Sequence, residues 1–84
     1  MAEPADVFVP AVAAAAVVEA RLAAGWTLLT VRGLRVRKGD ATPDPALVVD
    51  AGPDGTTDAA GVVEALRAWP SAPDLFADVR FAPR

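Results

Sequence analysis

The segment between Pro10 and Gly25 constrains this chain more than any other. Its fourteen residues, Ala11 to Ala24 (AVAAAAVVEARLAA), are mostly alanine, the best helix former. Proline suits a helix's first turn, where its missing N–H costs nothing, and glycine is the usual stop just past the end. The segment is read as a helix. Only Glu19 and Arg21 in it carry charge, so it is apolar almost all round. Helices of that kind are usually covered on more than one face. The expectation is a sheet on one side and a partner or second copy on another, with Val18 and Leu22 as candidate contact residues. Alanine is also cheap to expose. The alanine-rich mix, with one lysine and no isoleucine or asparagine, is that of a GC-rich genome. A solvated helix face is therefore the plain alternative.

The other segments read as short elements. Val7-Phe8-Val9 is a brief β-like run ended by Pro10. Residues 26–38 (WTLLTVRGLRVRK) carry the best strand signal, because Leu34 and Val36 alternate with Arg35 and Arg37 at period two. Gly33 interrupts the run and is read as a bulge in one long strand, in the absence of a recognised two-residue turn motif. Residues 39–45 (GDATPDP) read as a loop. Residues 46–50 (ALVVD) read as a short strand, apolar at both alternating positions, as in a central strand. Pro53-Asp54-Gly55 marks a turn. A second helix is expected over 58–69, capped by Thr57 or Asp58, with Val62, Leu66 and Trp69 forming one apolar stripe. Residues 75–82 (LFADVRFA) close the pattern as a strand. Phe76, Asp78 and Arg80 share one of its faces, and Val79 and Phe81 the other.

The order is β-α-β-β-α-β. It predicts a small α+β two-layer sandwich of ferredoxin-like type, with both helices on one sheet face. If the weak first strand fails, α-β-β-α-β remains. Residues 1–5 read as a flexible tail and 6–84 as a single domain.

Composition then narrows the function. Cysteine, histidine and tyrosine are absent. A thiol nucleophile, an imidazole base, a disulfide and a Cys/His zinc site are thereby excluded from this chain. Ser71, the lone serine, sits between Pro70 and Ala72 with no base available to activate it. The reading is a non-enzyme without a cofactor. A domain this small buries only roughly 60% of its unfolded surface, so assembly is a natural source of extra stability. The longest apolar run, Ala11 to Val18, is short of the ~20 residues needed to cross a bilayer. The acidic opening Met1-Ala2-Glu3 lacks the basic start of a signal peptide. A cytoplasmic location, away from membranes, is expected.

Two charge clusters stand out. Asp40, Asp44, Asp50, Asp54 and Asp58 place five carboxylates in nineteen residues. Asp50, Asp54 and Asp58 fall at positions 1, 5 and 9 of an EF-hand-like loop, but Gly61 stands at position 12, where a calcium loop needs a bidentate glutamate. They are weak metal candidates, and turn and cap roles explain them as well. Arg32, Arg35, Arg37 and Lys38 put +4 on seven residues, while the rest of the chain sums to −7. On a strand, Arg35 and Arg37 project from one face. The cluster reads as a partner-binding basic sheet edge or as a solvated strand protected by charge. Nucleic acid is the less favoured partner, since the net charge is −3 and the only nearby aromatic residue is Trp26.

The stretch Val17 to Lys38 resembles the helix-plus-hairpin docking domains at the N-termini of some modular peptide synthetases. The likeness lies in a helix ending in glycine, then a strand, a glycine and an arginine-rich strand. It spans about a quarter of the chain. The further strand and proline-rich loop before the second helix depart from that pattern, and no residue role is carried over.

The sequence thus predicts a non-enzymatic protein–protein interaction or assembly module. Its expected partner is another protein or a second copy, met through the first helix or by strand addition at the basic edge.

Overall fold

The structure, a computed structural model, describes residues 5–82. Six elements follow in the expected order: β1 (Ala5–Pro10), α1 (Ala11–Ala23), β2 (Thr27–Arg37), β3 (Asp40–Asp50), α2 (Ala59–Arg67) and β4 (Leu75–Ala82). The tail expected over residues 1–5 lies outside the described residues, apart from Ala5, which begins β1.

The four strands form one antiparallel sheet in the order β1-β4-β2-β3. The molecule is a small α+β domain, but this order does not confirm a ferredoxin-like arrangement. The last strand, β4, lies between β1 and β2, and β1 and β3 form the edges.

Each helix end has a local cause. After α1, Gly25 adopts φ +97°, a left-handed conformation that glycine takes without strain. Trp26 N–H then donates to Arg21 O at 3.0 Å and Gly25 N–H to Leu22 O at 3.1 Å. This is the paired closure of a Schellman motif. The Arg21 guanidinium lies 5.3 Å from the Trp26 ring centroid and 5.8 Å from that of Phe81, tying the helix end to the sheet. At the start of α2, Asp58 accepts from Gly61 N–H at 3.2 Å. A Cβ at residue 61 would stand 2.5 Å from the Asp58 carboxylate, so the glycine leaves room for the cap.

Two sequence expectations need correction. Residues 39–45 are not a loop. Lys38 and Gly39, with φ +51° and +84°, make the two-residue turn of a β-hairpin, and β3 begins at Asp40. Both central residues have the positive φ that suits the strand twist. β3 is also not central: it is an edge strand. The expected irregularity at Gly33 is present, but the extra residues are on β3. Arg32 pairs with Val48 and Leu34 with Pro43, so β3 makes an excursion opposite Gly33. A Cβ on Gly33 would come 2.7 Å from Leu47 Cβ, so glycine gives Leu47 room to lie over the sheet.

The core occupies one side of the sheet. Ala14 and Val18 of α1 and Val62 and Leu66 of α2 pack on Leu28, Val31, Ala77, Val79 and Phe81. Val7, Val79, Val31 and Val49 stand side by side across all four strands on that side. The second helix is shorter than the expected 58–69, and Trp69, two residues past its end, still packs against this cluster.

Candidate interaction surface

With both helices on one side, no described element lies over the other side of the sheet. Strand parity decides what is placed there. Paired residues of neighbouring strands project to the same face, so three rows can be read across it. One row is Asp6, Arg80, Thr30 and Asp50. The next is Phe8, Asp78, Arg32 and Val48. The third is Pro10, Phe76, Leu34 and Pro43.

Apolar groups make up the third row and both ends of the second. Phe8 stacks on its diagonal neighbour Phe76, with ring centroids 5.3 Å apart and planes 6° from parallel. Phe8 remains 53% exposed and Val48 45% exposed. Charge sits in the first row and at the middle of the second. Arg80 Nε lies 3.6 Å from Asp78 Oδ2. Arg32 is exposed and forms no ion pair among the described residues. The face therefore combines an accessible aromatic pair with fixed charges of both signs.

The basic cluster predicted from sequence divides between the two faces. β2 is an interior strand, so Arg32, Arg35 and Arg37 do not form a basic sheet edge. Arg32 projects from the open face, and Arg35 and Arg37 from the helix side. Both of the latter are matched by acid. Arg37 Nε donates to Asp74 at 2.9 Å, Arg35 Nη1 lies 3.4 Å from the same carboxylate, and Arg35 Nε lies 3.6 Å from Asp44. The Arg37 hydrogen bond holds the Asp74 carboxyl below the ordinary value of 3.8, against an opposing effect of burial. Lys38 is an exposed residue of the hairpin turn.

The helix face also differs from expectation. Val18 is fully buried in the core and Leu22 packs against it. Val18 therefore has no surface to present to a partner, and Leu22 is half-buried against the core. The outward face of α1 shows Val12, 76% exposed, with Ala16, Glu19, Ala20 and Ala23.

Nor are the aspartates gathered. Asp50 accepts from Gly52 N–H at 2.9 Å, Asp44 from Ala46 N–H at 3.1 Å, and Asp58 caps α2. These are turn and cap roles, which polar side chains satisfy by bonding their own nearby backbone. Among the described residues, no three His, Cys, Asp or Glu side chains are grouped to hold a metal ion. Also among them, no helix is long and apolar enough to cross a membrane.

Phe8, Phe76, Val48 and Asp78 were not singled out from sequence as site residues. The alternation of Phe76, Asp78 and Arg80 was legible. What was missing was the inference that two helices on one side must leave this parity uncovered.

No family model, curated protein or solved structure matches this chain.

Proposed function

We propose that this chain is a non-enzymatic protein-interaction module, acting in the cytoplasm, whose contact surface is the open face of its sheet. The observation that carries this reading is the stacked Phe8–Phe76 pair, held in accessible positions with Leu34 and Val48 on the same face. The apolar residues lie beside the charged ones on this face, and an accessible apolar patch of that kind marks many protein contact surfaces. The edges of the sheet offer less. Pro43 and Pro45 interrupt β3 and Pro10 ends β1, and proline cannot donate to an added strand. Nucleic acid fits poorly, since Asp6, Asp50 and Asp78 outnumber Arg32 and Arg80 on this face.

Site-specific photo-cross-linking tests the reading. Benzoylphenylalanine replaces Phe8 in one variant and Val12 in another, and each is irradiated in extract of the source cells. The expected result is a discrete protein adduct through position 8 and none through position 12. Adducts through position 12 alone, or none through position 8, would overturn the assignment of the surface.

A further inference from the structure

Resting on that reading, we infer that the occupant of the open face is a second copy of this chain, packed sheet to sheet. The two-fold axis would run along the strands, between β4 and β2. The argument is the order of residues across the rows. Such an axis exchanges β1 with β3 and β4 with β2. In the row Phe8–Asp78–Arg32–Val48, each residue then faces its complement on the second copy. Phe8 meets Val48, and Asp78 meets Arg32, each twice by symmetry. In the next row Phe76 meets Leu34 and Pro10 meets Pro43. Arg80 faces Thr30. Only the pair Asp6 and Asp50 sets like charges together, at the outer corners, where solvent screens them. Sheets packed face to face keep their strands within about 30° of one another, and an axis along the strands gives such an alignment.

Arg32 gives the pairing its direction. Asp78 is its neighbour in register on β4 but lies 3.6 Å from Arg80, and Arg32 forms no ion pair among the described residues. The area sets the strength. Four strands by about five residues give a projected footprint of roughly 330 Å². A standard stable interface buries about 800 Å² per partner, so the dimer is concentration-dependent rather than permanent.

The test is sedimentation equilibrium on the full chain up to millimolar concentration, with two charge-reversal variants, Asp78→Arg and Arg32→Asp. Both sites lie on the uncovered face, and circular dichroism verifies that the variants are folded. The wild type is expected to approach twice its 8.6 kDa mass. Each variant alone should self-associate at least tenfold more weakly, because like charges then face each other twice. Mixed in equal amounts they should recover wild-type association, since the arginine at 78 then meets the aspartate at 32 in the other chain. Recovery on mixing does not follow from a purely structural role for either residue. A dimer insensitive to both reversals would overturn the inference by placing the interface elsewhere. A wild type that stays monomeric would overturn it too. If position 8 still cross-links a different protein, the interaction-module reading survives that failure. If position 8 cross-links nothing and the wild type stays monomeric, both fall together.

Discussion

The two faces of the sheet are made from the same strands and differ by one residue of phase. On β4, Leu75, Ala77, Val79 and Phe81 turn toward the helices and are buried. Phe76, Asp78 and Arg80 lie between them and turn away. Opposite the four valines that cross the covered face, the open face sets Phe8, Asp78, Arg32 and Val48. The contrast separates two ways of using apolar groups. The buried part of the covered face is continuous and uncharged, with Arg35 and Arg37 paired to acid at its far end, and burial there holds the fold together. The open face mixes stacked phenylalanines with ionised groups that are costly to bury unpaired. A face meant only for water has no need of the phenylalanines, and one meant for permanent burial would not hold so many charges. Together they suit the proposed role of a surface covered part of the time.

The largest test of that contrast compares two phenylalanines. Phe81→Ala removes a fully buried ring and should cost about 3–5 kcal/mol in urea unfolding. Phe8→Ala on the open face should cost less than about 1 kcal/mol. Equal losses would break the distinction between the faces. A smaller effect is expected from Gly33→Ala, which drives a methyl group into Leu47 on the covered side. Overpacking of this kind costs roughly 1–3 kcal/mol, and an unchanged unfolding midpoint would show that Leu47 does not lie where described. Asp58→Ala deletes the cap of α2, which packs beside α1 and β3, with an expected loss near 1 kcal/mol.

The smallest effect is one of pH. The folded-state value of Asp74 is lowered, so its pairing with Arg37 and Arg35 stabilises the fold above the ordinary carboxylate range. That contribution is lost as pH falls through the lowered value. Asp74→Asn should therefore flatten the fall in unfolding midpoint below about pH 4. An unaltered acid profile would remove Asp74 from the account.

Much of the fold was legible because its signals are local. Pro10 and Gly25 bracket α1, Val62 and Leu66 mark the inner side of α2, and β4 has the predicted limits of 75–82. What escaped depends on partners distant in sequence. Lys38-Gly39 is an unfamiliar hairpin turn, and only pairing with β2 shows that the proline-containing stretch after it is strand. The interior place of β2 follows from β4 joining it, which no feature of Arg32, Arg35 or Arg37 announces. Val18 and Leu22 were taken for surface because α1 is apolar all round, and alanine hides which side faces inward. The candidate surface was legible only in part, as the phase of β4, since no single strand states which of its faces the helices will cover.

The most direct measurement of the central claim is a concentration series of methyl NMR spectra on the wild-type chain. Leu34 and Val48 mark the open face, Val12 the outer side of α1, and Val79 the core. The account predicts concentration-dependent shifts at Leu34 and Val48, with Val12 and Val79 unmoved. Shifts centred on Val12, or none at any residue, would contradict it.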